Sequence, residues 1–186
     1  MTARSLPRSD DPTGLVVLVP EADPLAAPFR DRFDPAAAEG MPAHVTVLYP
    51  FRPLEKITPK DRKRLRRIFS EIPSFPFSLP RTDLFTEVLY LAPVPRGPFD
   101  RLTKAVTAAF PDCQPYAGEI AEPVPHLTLA QAPSRRTLHA IERDFREAAR
   151  GSLPIASLAR AVSLVSKRSG IWTTAEVYPL KSVSRR

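Results

Sequence analysis

Two short apolar segments share one pattern, and this repetition constrains the fold more than any other feature of the chain. The first is His44-Val45-Thr46-Val47 and the second is His126-Leu127-Thr128-Leu129. Successive side chains of a β-strand alternate between its faces, so each motif places its histidine and threonine on one face and its apolar residues on the other. The two histidines lie 82 residues apart, which favours a duplicated fold in which the two strands correspond.

The segments around the motifs repeat one order of elements, namely a strand, a helix, a motif strand and a second helix. Thr58 is the predicted N-cap of one helix, with Pro59 at its first position. The sequence therefore predicts an α+β chain of two β-α-β-α units. The predicted strands are 14–20, 44–50, 87–94 and 126–131, the predicted helices are 24–33, 58–72, 98–110 and 134–150, and further strands are expected at 75–79, 159–166 and 171–178, the last two joined by a hairpin turn at 167–170.

The length of 186 residues fits one domain or two closely joined lobes. We expect a flexible N-terminus at 1–12, a single bilobal domain at 13–180 and a basic tail at 181–186. The apolar runs are too short to span a bilayer, and Cys113 is the one cysteine of the chain, so no internal disulfide can form. A reducing cytoplasm, no membrane association and a monomer are the simplest expectations.

The formal net charge of +7 is concentrated in the run Lys60–Arg67 and in the tail. A phosphate-bearing partner would suit this charge. The run also fits the solvated face of a helix that turns Leu65, Ile68 and Phe69 inward, and this interpretation is the stronger of the two.

A single histidine followed by threonine two positions later carries little information, because composition alone produces such a pair about one time in eight. Two of the three histidines, however, head this pattern within matching strands, each with a proline one or two residues before it. The alternative is that both are hydrogen-bonded structural histidines. His139 lies on a polar helical segment, and we assign it no role.

The chain resembles the 2H phosphoesterase superfamily, and within it the 2′-5′ RNA ligase-like and 2′,3′-cyclic phosphodiesterase branch. The resemblance rests on the paired motifs, on their spacing and on the stretches "TGLVVLVPEADPL" and "DPAAAEGMPAHVTVLYPF". It implies two lobes related by pseudo-twofold symmetry, each an antiparallel sheet with helices outside, and a central cleft. It also implies that the catalytic residues are His44, Thr46, His126 and Thr128.

The residue types suit the opening of a cyclic phosphate, which needs a base toward water and an acid toward the departing ribose oxygen. Two imidazoles can perform both roles near neutral pH, and each threonine hydroxyl can donate to a phosphate oxygen. By the resemblance, His126 is the base and His44 is the acid. The sequence contains no cluster of ligands with metal-site spacing, so we expect neither a metal nor a cofactor.

The expected partner is an RNA end or a small nucleotide with a 2′,3′-cyclic phosphate or a 2′-5′ link. Candidate substrate-binding residues are Phe51, Phe85, Arg168 and Trp172, because a nucleotide site needs aromatic surface and positive charge. Core packing is an equal alternative for the aromatic residues, and Arg168 also fits a turn. At the level of function, the alternative is a nucleotide- or RNA-binding module that keeps this fold without turnover.

Overall fold

The fold is a mixture of antiparallel strands and helices, as the sequence predicts. The structure, a computed structural model, describes residues 11–120 and 122–182, so that residues 1–10 of the predicted flexible N-terminus and 183–186 of the predicted tail lie outside it. The strands are β1 (Thr13–Leu18), β2 (His44–Leu48), β3 (Phe75–Leu79), β4 (Thr82–Leu84), β5 (Val88–Leu91), β6 (Leu127–Gln131), β7 (Ile155–Ala159), β8 (Ala161–Arg168) and β9 (Ile171–Pro179). The helices are α1 (Asp23–Phe33), α2 (Pro35–Ala38), α3 (Pro59–Glu71), α4 (Gly97–Ala109) and α5 (Arg135–Ala148).

The strands form three sheets, and both motif strands lie at sheet edges. The largest sheet has the order β2-β1-β8-β9, a second has the order β4-β5-β6, and β3 pairs with β7. Strands β2 and β6 contact each other although they belong to different sheets. The two His-x-Thr motifs therefore lie on neighbouring edges, on either side of the boundary between the two larger sheets.

The two halves of the chain are crossed, in the sense that each motif strand packs against a helix from the other half. Helix α1, from the first half, packs against β6, and α4, from the second half, packs against β2. One contact fixes this arrangement, because the hydroxyl of Thr103 on α4 donates a hydrogen bond of 2.8 Å to the Val47 carbonyl of β2. Each motif strand is thus supported by a helix of the other half.

Helix α3 confirms the interpretation of the basic run as a solvated face. Leu65 and Phe69 are fully buried, whereas the lysines and arginines of the run are exposed or half-buried. The predicted N-cap is also confirmed, since the Thr58 hydroxyl accepts from the Asp61 N–H and the Asp61 carboxylate accepts from the Thr58 N–H. This reciprocal pair satisfies two backbone donors at the helix start.

Phe51 belongs to the hydrophobic core. It is 6% exposed and its ring meets Phe110 edge to face at 5.2 Å. Its residue type suited a base-stacking role, but the chain turns its ring inward, away from the pocket described below. This placement corrects the sequence-based expectation for Phe51.

The sequence missed β4, β7 and α2, which are short and lack a strong apolar period. The predicted hairpin turn is present, with Arg168 paired to Ile171 and positive φ angles of 50° at Ser169 and 85° at Gly170. Two consecutive residues with positive φ form a turn whose twist matches that of the flanking strands. Within the described part of the chain, no helix combines the length and the apolar character needed to cross a membrane.

Candidate active site

Both motif strands contain a β-bulge immediately after the motif threonine. The register with the neighbouring strand skips Val47 in β2 and Leu129 in β6. A bulge adds one residue to one strand of a pair and changes which side chains share a face. The duplication therefore extends beyond residue types to the local backbone geometry.

The bulges bring one more side chain from each motif strand into the same pocket as its threonine. Tyr49 and Gln131 each lie three residues after the motif threonine, and both line this pocket. Simple alternation along an unbroken strand would have placed them on the opposite face from Thr46 and Thr128. Sequence reasoning missed both residues for this reason, although the spacing of 82 residues relates them as it relates the histidines.

The pocket has a volume of about 370 Å³, within the range of small-molecule sites. Three of the four predicted catalytic residues, His44, Thr46 and Thr128, line it directly. His126 is not among the lining residues, but it precedes Thr128 by two residues on the same strand. Other lining side chains are aromatic or charged: Tyr49, Tyr116, Trp172, Asp34, Glu39 and Lys167.

The two motif histidines make the same hydrogen bond. Nδ1 of His44 lies 2.8 Å from the Pro42 carbonyl, and Nδ1 of His126 lies 2.8 Å from the Val124 carbonyl. A carbonyl can only accept, so Nδ1 carries the proton in both rings. In the neutral form, Nε2 of each imidazole is therefore an unprotonated acceptor that is available to a reacting group.

Aromatic rings surround His126. Its imidazole meets the ring of Phe85 at 5.1 Å and that of Tyr90 at 5.4 Å, while Phe85 and Tyr90 stack on each other at 4.2 Å. Phe85, predicted as a substrate-binding residue, thus packs against a motif histidine and does not line the pocket. Its contact restricts the orientation of that imidazole.

A buried ion pair lies close to both histidines. Arg30 on α1 binds the carboxylate of Asp34 through Nε at 3.2 Å and Nη2 at 3.0 Å, and Nη2 also donates to the Met41 carbonyl at 3.0 Å. Arg30 and Asp34 are each 3% exposed, and Asp34 lines the pocket. Helix α1 packs against β6, and residue 41 lies just before β2. This ion pair therefore links the helix that supports β6 to the segment that leads into β2.

Both motif histidines are half-buried, and their partial loss of solvent lowers the pKa of each. The pKa of His44 falls to about 4, mainly through loss of solvent, with Arg30 and His126 lowering it further and the Pro42 carbonyl and Asp34 acting against the shift. The pKa of His126 is also lowered by burial, opposed by the Val124 carbonyl and by Asp34. Burial therefore favours the neutral form of both imidazoles at neutral pH, whereas the acid role assigned to His44 requires a protonated ring.

Trp172 is the one predicted substrate-binding residue that lines the pocket. Arg168 is exposed at the hairpin turn and does not line it, because its neighbour Lys167 occupies the strand face that turns inward. Tyr116 was missed by sequence reasoning. It adopts a left-handed φ of 49°, and its N–H donates to the Tyr49 carbonyl at 2.6 Å, which holds the 115–118 turn beside the pocket.

In the described ranges, no three histidine, cysteine, aspartate or glutamate side chains are grouped as a metal site would require. The acidic residues of the pocket are already engaged. Asp34 binds Arg30 and Glu39 binds Lys167.

Comparison with known proteins identifies relatives of the whole fold. The sequence model of the 2′-5′ RNA ligase superfamily matches residues 18–170, which include both motifs. A protein of Geobacillus kaustophilus named "Putative phosphoesterase GK0864" is 29% identical over 123 residues, which cover 63% of this chain and 68% of that protein.

Solved structures share the architecture at lower identity. TT0787 of Thermus thermophilus superposes with a TM-score of 0.60 at 16% identity, covering 93% of this chain and 100% of that one. LigT of Escherichia coli, in its complex with 3′-AMP, gives a TM-score of 0.58 at 16% identity, covering 91% of this chain and 98% of LigT. At this identity the likeness establishes a shared fold.

Proposed function

Because the chain belongs to the 2′-5′ RNA ligase superfamily, we propose that it is a metal-independent phosphodiesterase that acts on 2′,3′-cyclic phosphate ends or 2′-5′ links of RNA or small nucleotides. Family and fold together indicate a phosphoesterase of the two-histidine type. The observation that carries the finer proposal is the pair of bulged edge strands, which direct matching His-x-Thr motifs toward one boundary. LigT has been solved with 3′-AMP, with ATP and with NADP+, and those nucleotide complexes support a nucleotide substrate.

In the proposed hydrolysis, Nε2 of His126 takes a proton from water while the water oxygen bonds to phosphorus. The bond from phosphorus to the ribose 3′ oxygen breaks, and Nε2 of His44 gives that oxygen a proton, leaving a 2′-phosphomonoester. Exchange of protons with solvent then resets both rings. The same step with a ribose 5′ hydroxyl in place of water, and with the same departure of the 3′ oxygen, would join RNA ends through a 2′-5′ link.

The threonines stabilise the charge that develops on phosphorus. Thr46 and Thr128 follow the histidines on the same faces, so each hydroxyl can donate to a non-bridging oxygen of a phosphate held between the imidazoles. The bound anion also favours a protonated imidazole. Substrate binding therefore helps to create the protonated imidazole that acts as the acid.

The proposal is tested by incubating the protein with each 2′,3′-cyclic nucleotide, a 2′-5′ dinucleotide and an RNA oligomer with a cyclic phosphate end, all in the presence of chelator. We expect turnover of at least one of them, because the two imidazoles supply both the acid and the base. Nucleotide binding without turnover would support the binding-module alternative. Activity lost on chelation and regained with divalent ion would refute the two-histidine mechanism.

The pH dependence follows from the lowered pKa values. For the reaction, His44 and His126 together must carry one proton. The fraction of free protein in that state is largest at a pH between their two pKa values. Both pKa values lie below the ordinary 6.5 because burial disfavours the imidazolium, so we expect the optimum of kcat/KM below pH 6.5. The optimum of kcat should lie at higher pH, since the bound phosphate raises both pKa values.

Profiles of kcat and kcat/KM from about pH 4 to about pH 9 separate the free protein from the substrate complex. Arg30, Asp34 and His126 are the groups whose charge bears on His44, and burial remains the main cause of its lowered pKa. A kcat/KM optimum above neutral pH would contradict the environment that the structure gives to the histidines.

A further inference from the structure

Beyond the catalytic residues, the pocket contains an ion pair that the reaction does not use. Lys167 Nζ of β8 lies 2.6 Å from Glu39 Oε1, just after α2, and the two side chains keep 26% and 39% of their surface exposed. Both line the same pocket as His44 and Thr46. The pair therefore presents a positively charged donor directly beside a negatively charged acceptor in the volume that a substrate would fill.

The position of Glu39 is fixed by the backbone. Its carbonyl accepts a 2.8 Å hydrogen bond from the Trp172 N–H of β9. The next residue, Gly40, has a φ of 85°, and a Cβ there would approach Ile171 Cγ2 to 3.3 Å. The backbone at residues 39–40 therefore packs against the β8–β9 hairpin, which places Glu39 beside the strand that carries Lys167.

Two aromatic side chains, Tyr49 and Trp172, line the pocket together with Thr46 and the ion pair. Tyr49 is 36% exposed in the pocket and meets Trp172 edge to face at 6.2 Å. Tyr49 lies three positions after Thr46, which is at most about 10 Å along an extended chain. A nucleotide whose phosphate contacts Thr46 can place its base over the Tyr49 ring and extend the outer edge of that base toward Glu39 and Lys167.

From this arrangement we propose that the pocket selects guanine, with Glu39 and Lys167 as the residues that recognise the base. Guanine presents the O6 acceptor beside the N1–H and N2–H donors. Lys167 donates to O6, and the Glu39 carboxylate accepts from N1–H and N2–H. This inference rests on the proposed function, for which it names the preferred base.

The other bases match the ion pair less well. Adenine turns its N6 amino donor toward the lysine and its N1 acceptor toward the carboxylate, so both contacts become repulsive, and cytosine has the same mismatch. Uracil matches at O4 and N3–H but places its O2 acceptor against the carboxylate. Because a bound base would cover the ion pair and leave mismatched polar groups without partners, we expect guanine over adenine by about 10- to 100-fold.

The test measures kcat/KM for the four nucleoside 2′,3′-cyclic phosphates with the parent protein, Glu39→Gln and Lys167→Met. The parent should prefer guanine, and each variant should lose at least about tenfold of that preference. Asp100→Asn, in the exposed Arg96–Asp100 ion pair of α4, is the matched control and should keep the preference. Equal turnover of all four bases by the parent would overturn the inference while leaving the proposed function intact.

Calorimetry with guanosine and adenosine 2′-monophosphates tests base selection without any need for turnover. Tighter binding of the guanosine compound, reduced in Glu39→Gln, would support the inference even if no cyclic phosphate were hydrolysed. Equal affinities, no binding of either nucleotide, or an unchanged preference in Glu39→Gln would overturn it.

Discussion

Replacement of His44 or His126 by alanine should lower kcat by roughly 10²- to 10⁴-fold, because each removes one of the two proton-transfer groups. KM should change far less, since most of the pocket surface remains. The measurement is steady-state kinetics on whichever cyclic phosphate the parent turns over fastest. Thr46→Val and Thr128→Val should cost somewhat less, as expected for the loss of one hydrogen-bond donor in the transition state.

His139→Ala is the matched control, because His139 is exposed on α5, where its Nδ1 lies 3.4 Å from the Glu142 carboxylate. It should leave kcat unchanged. The double variant His44→Ala/His126→Ala should be little worse than the worse single variant, since either loss already abolishes the concerted path. Near-normal turnover by His44→Ala would show that His44 is not catalytic and that β2 has a purely structural role.

The second large effect concerns the buried ion pair behind the site. Arg30→Met should destabilise the fold by about 3 to 5 kcal/mol, because it leaves the Asp34 carboxylate buried without its partner. The carboxylate is almost fully enclosed and retains only the Ala36 N–H at 3.1 Å. Urea unfolding gives the change in the free energy of unfolding.

Arg96→Met is the matched control for this prediction. Arg96 and Asp100 form an ion pair with the same i,i+4 spacing as Arg30 and Asp34, but it is exposed to solvent. Its loss should cost about 0 to 1 kcal/mol. Equal unfolding midpoints for Arg30→Met and Arg96→Met would show that the buried pair contributes no more than an exposed one.

Much of the architecture could be predicted from local pattern. Helices α3, α4 and α5 have regular apolar faces, and Thr58 provides a strong start signal, so their positions were predicted within a few residues. Strand β7 (Ile155–Ala159) was missed because its two large apolar residues, Ile155 and Leu158, lie three positions apart and so show no period of two. It forms only because β3 offers a complementary edge.

The sequence could predict the site only where side chains alternate regularly between the two faces of a strand. Period two places the histidine and threonine of each motif on one face, but it cannot reveal the bulges that turn Tyr49 and Gln131 toward the pocket. Lys167 was missed for a similar reason, because the face of β8 that lies inward depends on its pairing with β1. Burial of the imidazoles, and hence their lowered pKa values, depends on packing by residues distant in sequence.

The crossed arrangement of the halves affects how the chain folds during synthesis. Strand β1 lies between β2 and β8, so the sheet that carries His44 cannot close until residues 161–179 have left the ribosome. Until then β1 has one edge unpaired, and β6 and α4 must also emerge before β2 gains its support. Such long-range pairing is slow and leaves strand edges open to wrong partners. Until residue 179 has emerged, the first motif strand is therefore incompletely supported, and assembly of the two histidines into one site must wait for both halves of the chain.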